Sequence, residues 1–158
     1  MIIFMCRYEH TIAITNRTLV QGDFLEQMKK VIRLHPHAVI LREKDLPDDA
    51  YKALAEKILP LCEREGVRCF LHSRVSIARN LGCGRIHLSI PALETMSEAE
   101  RFELQRNFEE ISVSCHSLED VNIAVKNGAT QIILGTIFET DCKKGLKGKG
   151  IGFVEAIC

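Results

Sequence analysis

His116 stands directly behind an apolar, β-rich run, Ile111 to Cys115, and ahead of a helix start at Ser117. An imidazole titrates near neutrality, so a histidine in that position can move a proton in both directions. Arg42 and Lys44 flank Glu43 at the end of a second such run, Ala38 to Arg42. Strand alternation puts the two cations on one face, a pattern suited to a carboxylate or a phosphate. The competing reading of the same triplet is a salt-bridged rim. A third group is Lys143, Lys144, Lys147 and Lys149, interleaved with Gly145, Gly148 and Gly150. Such a segment cradles phosphate through backbone N–H groups and charge, or is simply a solvated loop. It contains no G-x-x-x-x-G-K-[ST] loop.

Other chemistry-bearing residues read as structural. His35-Pro36-His37 follows a helix end, and two histidines there fit a turn paired with the helix dipole better than a metal site. Cys115 adjoins His116, but neighbouring strand residues point to opposite faces, so a packed thiol is expected rather than a nucleophile–base pair. The seven cysteines, Cys6, Cys62, Cys69, Cys83, Cys115, Cys142 and Cys158, show no C-x-x-C spacing. That usage fits a reduced, cytoplasmic setting without a disulfide framework or a structural zinc.

The elements that must position these residues alternate. Strands are expected at His10–Thr15, Ala38–Arg42, Val67–Leu71, Arg85–Leu88, Ile111–Cys115 and Gln131–Gly135. Helices are expected at Asp23–Leu34, Asp48–Glu65, Ser73–Asn80, Ala99–Asn107 and from Ser117 to the stop at Gly128, with two further turns after Ile151. Capping boxes are read at Asp23/Glu26, Ser97/Glu100 and Ser117/Asp120. Pro60 interrupts the second helix and is expected to kink it. Phe24, Met28, Val31 and Ile32 form one stripe, Tyr51, Leu54, Ala55, Ile58 and Cys62 another, and Val121, Ala124 and Val125 a third. Apolar strands alternating with helices imply a parallel sheet with right-handed crossovers. No G-x-G-x-x-G follows the first strand, and polar residues gather at strand C-termini: Thr15, Arg42, Glu43, Lys44, His72, Cys115, His116 and Thr136. Both points favour a TIM-barrel type of α/β fold over an open dinucleotide-binding sheet. With about six βα units legible, strands seven and eight are expected to be missing from a single domain spanning residues 1–158.

The bulk properties narrow the function. The 158 residues carry 21 Lys plus Arg against 21 Asp plus Glu, with no Trp and two Tyr. No basic excess and few aromatic platforms argue against nucleic acid. No apolar run reaches the roughly eighteen residues of a membrane span, and the apolar start, Met1 to Cys6, is too short for a signal peptide.

Four segments in order, IAITNR (12–17), LREKDL (41–46), SVSCHS (112–117) and GTIFETDCKKGLKGKG (135–150), give the chain a further character. From about Thr11 onward it resembles the thiamine-phosphate synthase/TenI family, which are TIM barrels of thiamine biosynthesis. The resemblance implies one of two activities. A synthase joins a pyrimidine diphosphate to a thiazole phosphate and releases pyrophosphate; a TenI-like thiazole tautomerase shifts a proton to aromatise a carboxythiazole phosphate. The synthase pattern has Gln before LREK, an Asn-Asp pair after the third strand and an acid after the fourth, the acids holding Mg²⁺. Here Ile40, the pair His72-Ser73, and the run Leu88-Ser89-Ile90-Pro91-Ala92 stand there. The segment FETDCKKGL (138–146) is similar to the tautomerase instead.

On that resemblance the first expectation is a tautomerase, an isomerase without metal or cofactor. His116 would move the proton, Arg42 and Lys44 would hold the substrate carboxylate, and Thr140 and Lys143 would close over a thiazole phosphate. The alternatives are a divergent thiamine-phosphate synthase or a non-catalytic, regulatory remnant of the fold. Exposed first and last strands, with Ile12, Ile14, Ile132 and Leu134 on them, lead to an expectation of self-association.

Overall fold

A computed structural model describes residues 8–139, 145 and 147–158. The described strands are β1 (Ile12–Ile14), β2 (Ala38–Leu41), β3 (Arg68–His72), β4 (Arg85–Ser89), β5 (Glu110–Cys115) and β6 (Gln131–Leu134). The helices are α1 (Phe24–Ile32), α2 (Asp48–Arg64), α3 (Val75–Asn80), α4 (Ile90–Glu94), α5 (Glu98–Asn107), α6 (Leu118–Lys126) and α7 (Ile151–Glu155). A 3₁₀ turn, Arg17–Leu19, follows β1. All six expected strands are present, each within two residues of its expected bounds. Helix α4 and the 3₁₀ turn were not expected; both are about one turn long, too short to show a helical period. The chain divides into two compact units, Met1–Ile86 and His87–Cys158.

In the first unit β1, β2 and β3 lie side by side in chain order and run parallel, with Ile12 opposite Ala38 and Ile40 opposite Phe70. All four residues of β2 are buried, which is why that strand reads as an unbroken apolar run. Tyr51, Ala55, Ile58 and Cys62 bury one stripe of α2, and Met28 and Ile32 one stripe of α1. Ile58, Met28 and Ile32 each contribute about 1.5–3 kcal/mol by leaving water. Pro60 lies inside a continuous α2. Gly66, at φ +67, ends that helix in the left-handed region, as its type suggests. Asp23 caps α1 by accepting from Glu26 N at 2.8 Å. The reciprocal half of that box is absent, because the Glu26 carboxylate turns to Lys29 Nζ, 2.6 Å away.

In the second unit β5 and β6 run parallel, with Ser112 opposite Gln131 and Cys115 opposite Leu134. The Ser97–Glu100 box at α5 is complete. Val121 and Ala124 of α6 are buried, but Val125 is 60% exposed, so the expected third member of that stripe faces water. The flanking strands β1 and β6 are less covered than β2: every residue of β6 is half-buried, and Ile14 in β1 is 52% exposed.

Candidate functional site

The C-terminal ends of β1 and β2 are joined by one carboxylate. Glu43 follows β2 and is buried, 2% exposed. Its Oε1 accepts from Thr15 Oγ1 at 2.6 Å, and its two oxygens accept from the Arg17 backbone N–H at 3.1 and 3.0 Å. Thr15 Oγ1 in turn accepts from Arg42 N at 2.9 Å, and Thr15 N donates to Ile40 O at 3.0 Å. Hydrogen bonds to a charged partner contribute about 1.5–3 kcal/mol each. The Arg17 guanidinium lies 3.9 Å from Glu43 Oε2 and pairs with Asp45 Oδ2.

The acids of the Arg42–Asp45 stretch are therefore engaged with Thr15 and Arg17. Arg42 and Lys44 keep no carboxylate partner among the described residues. The salt bridges of this rim run from Arg17 to Glu43 and Asp45. Arg42 and Lys44 flank the buried Glu43 anchor, an arrangement able to hold a phosphate or carboxylate.

A second tie joins β2 to β3. The Tyr51 hydroxyl, on α2, donates to Leu41 O at 2.6 Å and accepts from His72 N at 2.9 Å. Burial pushes the Tyr51 phenol well above its ordinary range, so it stays a donor. Arg74 caps the arrangement, its guanidinium 5.3 Å over the Tyr51 ring, 2.9 Å from Asp48 Oδ1 and 2.8 Å from Leu46 O. Ser73, between His72 and Arg74, has φ +61, a left-handed conformation costing about 1 kcal/mol for a residue with a Cβ.

In the second unit His116 is exposed at the end of β5. Its backbone N–H donates to Asp120 Oδ2 at 2.5 Å, and Nδ1 lies 3.9 Å from the same oxygen. Ser117 Oγ caps α6 from Asp120 N at 3.0 Å. The expected return bond of that capping box thus reaches one residue further back, onto His116. Lys149 Nζ donates to His116 O and lies 4.6 Å over the Phe153 ring. Within the Lys/Gly segment, then, Lys149 is already engaged, while Lys147 is exposed. Backbone bonds from Lys149 N to Thr136 O and Gly150 N to Ile137 O, both 2.9 Å, return this segment to the end of β6. A Cβ at Gly148 would meet Ile137 O at 2.6 Å, so only glycine permits that approach. Thr140, Lys143 and Lys144 lie outside the described residues.

Cys115 is fully buried, and burial pushes its thiol up to about 11. It is a packed residue beside His116, as expected. His87 of β4 is also buried; its Nδ1 and Nε2 each lie 2.9 Å from a hydroxyl, Ser112 Oγ and Ser114 Oγ on β5. Hydroxyls donate or accept, so both ring nitrogens are satisfied in either tautomer. Sequence reasoning used Glu43, Tyr51 and His87 only as neighbours or core positions. The signal available for Tyr51 was general: a buried phenol needs a partner.

Residues 11–158 match the family model described as thiamine monophosphate synthase. The chain belongs to the thiamine-phosphate synthase/TenI family. Among its family relatives, a putative thiamine-phosphate synthase 2 of Aquifex aeolicus is 33% identical over 128 residues, covering 81% of this chain and 67% of the relative. A putative thiamine-phosphate synthase of Geobacter sulfurreducens is 34% identical over 131 residues, covering 82% and 60%. The thiamine-phosphate synthase of Thermus thermophilus is 31% identical over 130 residues, covering 82% and 61%. The matched part of this family chain thus spans about 60–67% of those relatives' length. A solved structure, thiamine phosphate pyrophosphorylase from Pyrococcus furiosus, superposes with a TM-score of 0.75 at 24% identity, over 92% of this chain and 67% of that one. That likeness supports a TIM-type α/β fold for the family's six strands seen here.

Among the described residues the Mg²⁺ that the synthase pattern implies finds no ready ligand set. Among the described residues no group of three or more His, Cys, Asp or Glu is arranged to hold a metal ion. Glu43 and Asp45, the carboxylates nearest Arg42 and Lys44 in the chain, are committed to Thr15 and Arg17.

Proposed function

We propose that this chain acts in thiamine biosynthesis as a divergent thiamine-phosphate synthase, joining a pyrimidine diphosphate to a thiazole phosphate. This is the alternative of the sequence reading, and the relatives, named synthases, favour it over the tautomerase. The observation that carries it is the pair Arg42 and Lys44, without carboxylate partners among the described residues, beside the buried Glu43 anchor. In the reaction the bond from the pyrimidine-bearing carbon to diphosphate breaks with its electron pair going to the diphosphate. The new bond forms between that carbon and the thiazole ring. Arg42 and Lys44 take the charge of the departing diphosphate through charge-assisted hydrogen bonds. Glu43 does not touch the substrate; it fixes the backbone from which both cations project.

A second reading, the thiazole tautomerase, draws on His116. Asp120 and Lys149 hold its backbone while the imidazole stays exposed. In that reaction a proton leaves one ring atom of the carboxythiazole phosphate for the imidazole, which returns a proton at another.

The test runs both substrates with and without Mg²⁺ and follows thiamine phosphate and pyrophosphate. It follows proton exchange on the carboxythiazole phosphate in parallel. Thiamine phosphate formed by the wild type and lost in the Arg42→Ala/Lys44→Ala variant supports the synthase. Proton exchange lost in His116→Asn, with no thiamine phosphate formed, overturns it in favour of the tautomerase. Neither activity would leave a non-catalytic member of the family.

A further inference from the structure

His87, in β4, stands between two serines of the neighbouring strand β5. Its Nδ1 lies 2.9 Å from Ser112 Oγ and its Nε2 lies 2.9 Å from Ser114 Oγ. Exposure changes along this row. Ser112 is fully buried, His87 is 4% exposed, and Ser114 is half-buried. Solvent therefore reaches the row from the Ser114 side. Ser114 is the next-to-last residue of β5, at the strand end where folds of this type keep their chemistry. All three residues belong to the second unit, so the row is built without Arg42, Glu43 or Lys44.

A row that served only packing would be closed at both ends; this one is closed at Ser112 and open at Ser114. One ring nitrogen meets an accessible hydroxyl and the other a buried one, which is the order of nucleophile, base and orienting group. We propose that Ser114 is a nucleophile, activated by His87 and Ser112, that takes an acyl group from activated carboxylic esters. In the tautomer that serves this chemistry, His87 Nδ1–H donates to Ser112 Oγ and Nε2 accepts the Ser114 O–H. The Ser114 oxygen attacks the ester carbonyl carbon, and its proton passes to Nε2. The bond from that carbon to the leaving oxygen then breaks with its electron pair going to the oxygen, which takes the proton from Nε2 and departs as an alcohol or phenol. Water, giving a proton to Nε2, attacks the acyl-serine; the carboxylic acid leaves, and Ser114 regains its proton from Nε2. A neutral serine orients and stabilises the imidazole less than a carboxylate does, so phenyl esters, with good leaving groups, are the expected substrates. This activity goes beyond the synthase reading and does not depend on it.

The probe is p-nitrophenyl acetate, with p-nitrophenol release followed by absorbance and the acetylated chain mapped by mass spectrometry after trypsin. Ser112, Ser114 and Ser117 fall on one tryptic peptide, Asn107–Lys126, whose fragment ions locate the acetyl group. Ser117, which caps α6 by accepting from Asp120 N, is the internal control. Acetyl on Ser114 is expected, forming at least about tenfold faster in the folded chain than in the urea-unfolded chain. His87→Gln is expected to slow that labelling by about 10²–10⁴-fold, and Ser112→Ala to slow it less. Circular dichroism reports whether each variant folds, and the wild-type comparison with urea decides the question if one does not. No acetylation, acetyl only on lysines, cysteines, His116 or Ser117, equal rates in urea, or undiminished Ser114 labelling in a folded His87→Gln variant would each overturn the proposal.

Discussion

The strand ends of the first unit and those of the second are tied in different ways. Beyond β1, β2 and β3 the ties are buried side-chain oxygens: the Glu43 carboxylate on Thr15 and Arg17, and the Tyr51 hydroxyl between Leu41 and His72. Beyond β5 and β6 they are solvent-facing: Asp120 on the His116 backbone, Lys149 on its carbonyl, and backbone bonds to Thr136 and Ile137. A buried tie is costly to remove, because each orphaned group loses its partner where water cannot replace it. An exposed tie is cheap, because water substitutes. The first unit therefore holds its cations on a rigid base, while the second holds its proton-transfer candidate on an adjustable one.

Glu43→Ala tests the rigid side most severely. It takes the acceptor away from the Thr15 O–H and the Arg17 N–H together, and a loss of about 3 kcal/mol is expected in urea unfolding. An unchanged midpoint would mean that the anchor is not structural. Arg42→Ala/Lys44→Ala is expected to weaken pyrophosphate binding by about 10–100-fold for each cation removed, from charge-assisted bonds of about 1.5–3 kcal/mol each, while the melting temperature stays within a degree or two. Calorimetric titration with pyrophosphate and a thermal scan together separate those effects. Tyr51→Phe removes one hydroxyl between two buried backbone groups, and about 1–2 kcal/mol of stability should go with it.

Asp120→Ala is the matching cut on the second unit, and a cost of only about 0.5–1 kcal/mol is expected. A loss as large as that of Glu43→Ala would erase the contrast between the units. A last effect is confined to alkaline pH. The Cys115 thiol is raised to about 11 in the folded chain against an unperturbed 9.0. The unfolded chain then binds fewer protons between those values, so the contribution of Cys115 is full below pH 9 and is lost as pH rises towards 11. Cys115→Ala should flatten the fall of stability across that window; an identical slope would remove Cys115 from the account.

Some of this was legible residue by residue. Asp23, Ser97 and Ser117 each cap the helix expected of them, because an N-cap bond spans only three residues. The return bonds were less legible. Glu26 found Lys29 instead, and Asp120 found His116, because a carboxylate within reach of several donors is decided by geometry rather than spacing. Val125 matched the periodicity of α6 yet faces water, since a stripe is buried only as widely as its neighbour covers it. Strand β2 ends at Leu41, so the triplet Arg42-Glu43-Lys44 lies beyond it and the alternation expected to put both cations on one face does not extend to them. Spacing also carried no information on where the acid would go.

Local chain chemistry was sufficient for the order of strands and helices, the polar character of the strand C-termini, and the family. Those properties depend on periods of two and 3.6 residues and on motifs a few residues long. The tertiary structure alone decided that Glu43 turns inward to residues 26 and 28 positions earlier, and that Tyr51 joins strand ends 10 and 21 residues away. The physical reason is common to both. A buried polar atom must find a partner, and in a parallel sheet that partner comes from another strand or its crossover helix, far away along the chain.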